Sequence, residues 1–433
     1  MNKNSNSKFS LFSTLIIFLL CCSIITGPAI YIVSQEIQFF RIMLFMAFVI
    51  SMHLWWNKRI HFNSNILAFT FFIYFDFIWT TYVALFTSNL VVNSFFNSLV
   101  LVILIATLSI FSNYKTLHFL QLVYCSSLVM FLIMLIIATW EIHTKHHLSV
   151  STINQAPIYI RNTPTTFFTN PNDFMAVMCL IYLIVCNYHK KLNLRRGFLE
   201  VTLLIALLIF CSLTGSRTNM IVSAVTFGVF WFNKKRIIIQ LTFLLALYFA
   251  VSLIDLNQLR DFLSNFNFNL DRIMDSLEFG KDESSKVRYH LYLDAFKSIS
   301  TNYGLGEGVN NSADYFRKID DPNLEGITNP HNYLLEILIN SGPLLFSAYL
   351  LILFKIVNNL IRTKNYYLLI SVILYFIVLL SSSSSLYLFY HYLFFISILV
   401  LKDSNKIFRK KGLEKAGSTY EKNSASNVRS SKI

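Results

Sequence analysis

Runs of about twenty consecutive apolar residues recur along this chain from residue 10 to residue 401. A helix of that length is long enough to cross the hydrocarbon layer of a bilayer. Inside a bilayer every backbone N–H and C=O group needs a partner within the protein, and an uncharged run satisfies this requirement as an α-helix. Hydrophobic residues make up 55% of the sequence and charged residues only 13%. The predicted fold class is therefore an all-α polytopic membrane protein.

The apolar runs predict about twelve transmembrane helices. A long polar stretch between the ninth and the tenth separates them into two groups. The predicted spans are 10–33, 37–56, 64–86, 91–112, 116–139, 173–188, 197–214, 217–233, 236–255, 332–359, 365–382 and 384–401.

Basic residues predict the orientation of these spans. They cluster in the short loops that follow even-numbered spans, as in Lys58–Arg59 and Lys234–Arg236. Short cytoplasmic loops carry an excess of Lys and Arg, so these loops and both termini are expected inside. The segments 140–172 and 256–331 then face outside. This distribution accounts for the net charge of +14 without a nucleic-acid partner, because the charges are not gathered on one folded surface.

The predicted organisation has five parts. A cytoplasmic N-terminus precedes nine spans, a large extracytoplasmic loop containing amphipathic helices, three further spans and a basic, disordered cytoplasmic tail. No internal repeat is visible, which separates this sequence from the common transporter plan of two matching halves. The boundaries are 1–9, 10–255, 256–331, 332–401 and 402–433.

Several polar residues inside or between the apolar runs need an explanation. Arg217 lies between two spans, where an arginine is costly unless it reaches water or meets an anion. Asp76 stands in the middle of a span and is expected to pair inside the helix bundle. His391, within FYHYLFF, is interpreted as a hydrogen-bonded histidine of the bundle rather than a catalyst.

The large outer loop contains two motifs that suggest ligands only superficially. GLGEG, residues 304–308, matches part of a dinucleotide-binding pattern, but no predicted strand precedes it. Its glycines are instead expected to form a tight turn that lets the backbone approach a neighbour closely. Asp320 and Asp321 lie in DDPNLEG, whose Pro, Asn and Gly residues favour a solvated turn over a metal site.

Three residues that handle charge or protons are predicted on the outer side: Arg217 in SRTN, Arg288, and His331 in HNYLLEILINSG. These segments, with GLGEG following Arg288, resemble in this order the O-antigen ligase and polymerase family. The NPND start of the sixth span, which contains Asn172, is similar as well. The resemblance covers roughly residues 165–350.

The resemblance implies a membrane glycosyltransferase of the GT-C type that needs no metal or cofactor. Carried over to this sequence, it implies that His331 is catalytic and that Arg217 and Arg288 bind diphosphate. Asn332 and Glu336 belong to the histidine motif and are candidates to orient its ring. The implied partners are a polyprenyl-diphosphate-linked oligosaccharide donor, a glycan acceptor, the lipid bilayer and other polysaccharide-assembly proteins. The reaction is expected on the outer face of the bacterial cytoplasmic membrane.

One position departs from the family pattern. Pro343 follows Gly342, and Leu345 stands where a second glycine is common in the family. This departure concerns the local packing of the tenth span more than its chemistry.

Four functions are compatible with the sequence to different degrees. A polymerase for capsule, exopolysaccharide or O-antigen is favoured, because the outer loop is long enough to hold a second glycan. A ligase that transfers the glycan to a different anchor uses the same donor motifs. A transporter or flippase is expected to place polar residues at mid-membrane within repeated halves. A scaffold predicts that Arg217, Arg288 and His331 are dispensable.

Overall fold

A computed structural model describes most of the chain and contains no strand within the residues it describes. These residues form thirteen α-helices and two short 3-10 segments. The described ranges are 11–27, 38–57, 60, 62–87, 91–148, 163–168, 170–192, 198–231, 283–309, 311–319, 321–324, 332–380 and 389–402.

The helices are numbered here in chain order. The 3-10 segments are Ser298–Gly304 and Pro322–Leu324. The helices are α1 Leu11–Thr26, α2 Phe39–Asn57, α3 Ser64–Phe86, α4 Val92–Tyr114, α5 Thr116–Thr144, α6 Pro171–Leu192, α7 Phe198–Thr214, α8 Arg217–Trp231, α9 Glu283–Lys297, α10 Ser312–Ile319, α11 Tyr333–Arg362, α12 Tyr366–Leu379 and α13 Tyr390–Lys402.

The all-helical membrane class is confirmed. Six helices are long and apolar enough to cross a bilayer, namely α2 to α6 and α11, and four shorter apolar helices accompany them. Each predicted span except the ninth coincides with a described helix. The ninth span, 236–255, the amphipathic stretch 256–280, the N-terminus 1–9 and the tail 403–433 lie outside the described residues. The count of twelve spans therefore stays a prediction.

Hydrogen bonds between helix ends agree with the predicted up-and-down order of the spans. Where α3 begins and α4 ends, the Asn63 N–H donates to Asn113 Oδ1 over 2.8 Å. Where α6 and α13 end, Lys191 Nζ donates to the Leu401 carbonyl over 2.6 Å. The basic-residue bias assigns all of these positions to the cytoplasmic side. We call this the inner end of the bundle and the opposite side the outer end.

Helix α6 is the centre of the helix bundle. Each residue from Phe174 to Val185 is at most 3% exposed, although the helix is long enough to span a membrane. It packs against α5, α7, α8 and α12. Side chains on every face of this helix therefore contact protein, which explains how it accommodates the buried amide of Asn187 on Ser371 Oγ at 2.8 Å.

Helix α11 is divided by a kink at Gly342 and Pro343. Gly342 has φ 74° and ψ 171°, far from helical values. Pro343 has no N–H group, so it cannot donate to the Ile339 carbonyl four residues earlier. The non-helical conformation of Gly342 likewise separates the Asn340 carbonyl from the N–H group four residues later, its regular helical partner. The kink thus leaves two buried carbonyl groups that need donors from elsewhere.

Residues 304–309, which we call the glycine loop, supply those donors. The Glu307 N–H donates to the Ile339 carbonyl over 2.8 Å, and the Gly308 N–H donates to the Asn340 carbonyl over 3.0 Å. The loop and the kink therefore satisfy each other's backbone groups.

The other side of the glycine loop rests on the outer half of α3. Trp79 Nε1 donates to the Leu305 carbonyl over 3.2 Å, and the Val309 N–H donates to the Thr80 carbonyl over 3.0 Å. The loop is consequently held between α3 and α11 by backbone groups on both sides.

Two glycines make this close approach feasible. A Cβ atom on Gly306, which has φ +92°, would lie 2.5 Å from the Asn340 carbonyl oxygen. A Cβ atom on Gly342 would overlap the Gly304 carbonyl oxygen. The sequence-based prediction of a close backbone approach at GLGEG is confirmed, and the Leu345 departure is accommodated as a side chain only 3% exposed.

Two predictions about isolated polar residues are also confirmed. The Asp76 carboxylate accepts a hydrogen bond from Ser341 Oγ, which lies just before the kink of α11. His391 is fully buried, and its Nδ1 lies 2.9 Å from the Tyr375 hydroxyl. Both are partnered inside the bundle.

We expect Gly306→Ala to destabilise the protein strongly, because the new methyl group meets backbone atoms and the left-handed φ disfavours any side chain. The expected cost is at least about 3 kcal/mol, combining the strain of the conformation with overpacking. Gly27→Ala is the matched control, since Gly27 also has positive φ but has no atom within 4 Å of the added Cβ. Thermal unfolding in detergent measures both, and equal stability of the two variants would contradict the close packing.

Candidate functional site

The outer end of α6 is a capped helix start. Asn170 Oδ1 accepts the Asn172 N–H over 2.7 Å, and the Asn170 carbonyl accepts the Phe174 N–H over 3.3 Å. Pro171 occupies the first helical position, where its missing N–H costs nothing. The NPND motif therefore caps α6, and the side chain of Asn172 remains partly exposed.

Arg217 is the first residue of α8 and is half-buried. A tight turn at Gly215 and Ser216 connects it to the end of α7, and Ser216 Oγ accepts a hydrogen bond from Asn219 Nδ2 at 2.9 Å. Cys179 Sγ of α6 lies 3.6 Å from Ser223 Oγ of α8, each within about two turns of its helix start. The starts of α6 and α8 therefore share the outer end of the bundle.

Arg288 lies on α9, whose apolar face packs on the first turns of α11. Their shared cluster contains Val287 and Leu291 from α9 and Leu335 and Ile339 from α11. Arg288 is half-buried, and within the described part of the chain its guanidinium forms no hydrogen bond or ion pair. A cation is thus held next to α11 without a protein counter-ion among these residues.

A hydrogen bond joins α9 to α10, and an ion pair forms within α9. The Tyr315 hydroxyl donates to the Asp294 carbonyl over 2.8 Å, and Lys297 Nζ lies 2.7 Å from Asp294 Oδ1. Hydrogen bonding to Asp294 raises the pKa of Lys297, and burial raises the pKa of Tyr315.

Asp321 forms a turn, as the sequence suggested. Its Oδ1 accepts the Asn323 N–H over 2.9 Å, and this hydrogen bond is the main cause of a lowered pKa of Asp321. His290 Nδ1 lies 3.8 Å from Asp321 Oδ2. Within the described ranges no group of three or more His, Cys, Asp or Glu side chains is arranged to hold a metal ion, and Asp320 lies outside them.

The start of α11 is fixed by Asn332. Its Oδ1 accepts the N–H groups of Leu334 and Leu335 over 3.0 and 3.3 Å, so Asn332 is the N-cap. We expected Asn332 or Glu336 to orient the histidine ring. The structure assigns the Asn332 oxygen to capping, and Glu336 lies on the first turn of α11 and is 4% exposed. The role of either side chain toward the ring stays a prediction.

The predicted site residues fall into two packed units. Asn172 and Arg217 belong to the unit of α6, α7 and α8, whereas Arg288, Asn332 and Glu336 belong to the unit of α9 and α11. Helix α12 contacts α6, α8 and α11 and thus joins the two units. His331 lies outside the described residues, so its meeting with the two arginines stays a prediction.

Sequence reasoning missed a buried carboxylate at the outer end of α5. Glu141 is 1% exposed and accepts three backbone N–H groups, from Leu148, Thr165 and Thr166, over 2.9, 2.7 and 2.9 Å. His147 Nδ1 lies 3.7 Å from the same carboxylate. Glu141 therefore anchors the chain just before the capped start of α6. No local pattern reveals this role of Glu141. It is a single acid at the end of an apolar run, and its partners Leu148 and Thr165 lie seven and 24 residues later.

Apolar helices long enough to cross a bilayer, with half-buried arginines at or near the starts of α8 and α9, define a multi-pass membrane protein. Comparison with known proteins agrees with that class. Residues 202–350 match the family model described as O-antigen ligase. The chain is also similar to the teichuronic acid biosynthesis protein TuaE of Bacillus subtilis (strain 168), at 28% identity over 249 residues. The resemblance to the O-antigen ligase and polymerase family is confirmed by these two matches.

The extent of the similarity is limited. The aligned region is 53% of this chain and 48% of the relative, so the chain spans about half the length of the curated relative it matches. No solved structure matches. The family match includes Arg217, Arg288 and His331, whereas α1 to α6 lie outside it.

We expect Glu141→Gln to destabilise the outer end of the bundle by about 3 kcal/mol. A glutamine has one acceptor oxygen, and its NH₂ group would face backbone N–H groups that the carboxylate now satisfies. Asp314→Asn is the control, because its ion pair with Arg317 is solvent-exposed and is expected to contribute less than about 1 kcal/mol. Thermal unfolding in detergent measures both variants. Equal melting temperatures would show that the Glu141 contacts contribute little.

Proposed function

We propose that this protein is a metal-independent glycosyltransferase that acts on a glycan carried by polyprenyl diphosphate at the outer face of the bacterial cytoplasmic membrane. The family match over residues 202–350 supports the donor class. The observation that carries the proposal is the half-buried guanidinium of Arg288, which has no counter-ion in the described part of the chain. A cation at the edge of a bilayer is costly unless an anion joins it, and a substrate diphosphate supplies that anion.

In the proposed reaction the oxygen of an acceptor sugar hydroxyl forms a bond to the anomeric carbon of the donor glycan. The bond from that carbon to the diphosphate oxygen breaks, and polyprenyl diphosphate leaves with the bonding electron pair. The hydroxyl proton passes to the imidazole of His331. Donor and acceptor are thereby converted into one longer glycan and a lipid diphosphate.

Arg217 and Arg288 stabilise the leaving group in this mechanism. A guanidinium binds two phosphate oxygens through its planar fork and stays charged at every relevant pH. Negative charge grows on the bridging oxygen as the glycosidic bond breaks, and preorganised cations at a site partly shielded from water stabilise it. The location suits the substrate, because its tail lies in lipid while its reactive linkage lies at the headgroup level.

His331 acts as the general base. Imidazole titrates near neutral pH, and neighbouring arginine charges favour its neutral, proton-accepting form. His331 directly precedes the capped start of α11 in sequence, and Glu336 on the first turn is a candidate to orient the ring. Orientation by a carboxylate is a common way to select the tautomer that accepts a proton.

We favour a polymerase, in which the acceptor is another lipid-linked glycan destined for capsule, exopolysaccharide or O-antigen. The large outer loop supports this choice because it offers space for a second glycan. The alternative is a ligase that uses the same donor and a different acceptor anchor. The similarity to a teichuronic acid biosynthesis protein supports a role in polysaccharide assembly in either case.

The proposal is tested directly by His331→Ala. We expect transfer from purified lipid-linked repeat units to fall at least about 100-fold, the usual contribution of a general base. His290→Ala is the matched control, because His290 lies on α9 beside Asp321 and has no role in the mechanism. Product glycan is quantified after reconstitution in nanodiscs. Turnover by His331→Ala at the wild-type rate would exclude the assigned base, and glycan movement without bond formation in the wild type would favour a transporter.

The diphosphate clamp predicts a specific effect of Arg288→Lys. Lysine keeps the charge but loses the bidentate fork, so kcat/KM for the lipid-linked donor is expected to fall about tenfold while the fold is retained. Arg317→Lys on α10 is the control, since Arg317 forms an exposed pair with Asp314. Initial rates at varied donor concentration measure both. A loss of activity in the two variants alike would argue against a specific phosphate contact.

A further inference from the structure

A small cavity of about 50 Å³ lies between α3, α4 and α11, directly against the glycine loop. Ile73, Leu101 and Ile337 form part of its apolar wall. Its polar lining is unusual for a membrane bundle, because it combines one carboxylate with amides and hydroxyls. The polar lining residues are Asp76, Thr80, Asn97, Ser98, Asn340 and Ser341.

The kink of α11 places this cavity near the outer end of the membrane-spanning part. Residues 343–362 follow the kink and, as a helix, rise about 30 Å, which suffices to cross the hydrocarbon layer. Ser341, which lines the cavity, precedes the kink. Asp76, Asn97 and Ser98 remain partly exposed, so the cavity is not sealed.

The carboxylate of Asp76 has unused capacity to accept hydrogen bonds. Within the described residues its side chain accepts one bond, from Ser341 Oγ. An ionised carboxylate has about four acceptor positions. A charged group at this depth is costly and marks a functional position by default.

The two amides are oriented as donors. Asn97 Oδ1 accepts a hydrogen bond from Arg41 Nη2 at 3.1 Å, and Asn340 Oδ1 accepts the Ser312 N–H at 2.9 Å. With each oxygen engaged, the NH₂ group of each amide is the group left to face a ligand. The cavity therefore offers the Asp76 carboxylate as a hydrogen-bond acceptor beside the amide donors of Asn97 and Asn340.

We propose that this cavity binds a hydroxyl-bearing edge of a neutral sugar in the acceptor glycan, an inference that rests on the proposed function. A hydroxyl group both donates and accepts, which matches a carboxylate flanked by amide donors. The carboxylate disfavours a phosphate, and the donors together with Arg41 disfavour a cation. A volume of about 50 Å³ admits a hydroxymethyl group but not a whole ring.

The origin of the lining residues agrees with an acceptor role. Val309, Ile337, Asn340 and Ser341 lie within the family match, whereas the residues of α3 and α4 lie outside it. If members of a family share a donor, segments that they have in common recognise it. An acceptor that differs between members is then recognised by elements outside those segments. Asn340 is eight residues after Asn332 and thus about 12 Å along α11 from this N-cap residue, which follows the predicted base in sequence. That separation corresponds to a sugar some rings removed from the reacting hydroxyl.

A contact so far from the reacting atoms strengthens binding equally before and during the reaction. We therefore expect Asp76→Asn to raise KM for a soluble acceptor about tenfold, with kcat and the donor KM changed less than threefold. Asparagine keeps an acceptor for Ser341 Oγ, which preserves the packing. The acceptor probe is the repeat-unit oligosaccharide released by mild acid from the host's lipid-linked precursor.

Thr70→Val is the matched control. The Thr70 and Ser109 hydroxyls form a 2.8 Å pair between α3 and α4, two of the helices that line the cavity, but nearer the inner end. Its acceptor KM is expected to stay at the wild-type value. If Asp76→Asn does not fold, Asn97→Ala, expected to raise the acceptor KM severalfold, replaces it. An unchanged acceptor KM in the folded variant would overturn the inference and leave the cavity as a site for ordered water.

A binding measurement separates this inference from the proposed function. Calorimetric titration of the same oligosaccharide is expected to show binding to the wild type and to Arg217→Lys, and at least tenfold weaker binding to Asp76→Asn. Binding that depends on Asp76 in a protein that performs no transfer would support the inference and refute the proposed function. Transfer together with equal binding by wild type and Asp76→Asn would support the proposed function and refute the inference about the cavity.

Discussion

The requirement that buried backbone groups find partners determines how the outer end of this protein is built. Pro343 and Gly342 interrupt α11 and leave carbonyl groups that no residue of the same helix can satisfy. The N–H groups of Glu307 and Gly308 in the glycine loop donate hydrogen bonds to these carbonyls. Since an unpaired carbonyl in a membrane protein costs several kcal/mol, the kink and the loop are each unstable without the other. This mutual dependence ties the glycine loop to the bundle through backbone hydrogen bonds.

The arrangement also explains how one helix serves both parts of the proposed reaction. One flank of the first turns of α11 packs on α9, which carries Arg288, and another lines the cavity with Asp76. In the proposed reaction, donor and acceptor would therefore lie on opposite flanks of this capped helix start.

The sequence predicted the helices well because their signal is local. A run of twenty apolar residues leaves few alternatives in a bilayer, and glycines in GLGEG indicate close approach wherever their partner lies. The Glu141 anchor and the amide orientation of Asn340 depend on residues 24 and 28 positions away, which no local pattern reveals. Asn332 shows a subtler difficulty. It was grouped with the predicted base because of its motif, whereas its oxygen is engaged by the backbone of α11.

The near-complete burial of α6 has a consequence for how lipid-borne molecules reach the protein. A helix enclosed by α5, α7, α8 and α12 presents no surface along which an isoprenoid chain can slide. In the proposed function, lateral entry of the lipid tail would then use peripheral helices, and Phe71, Phe75 and Ile78 of α3 are all more than half exposed. The proposed lipid-linked substrate would therefore approach along the outer helices and not along α6.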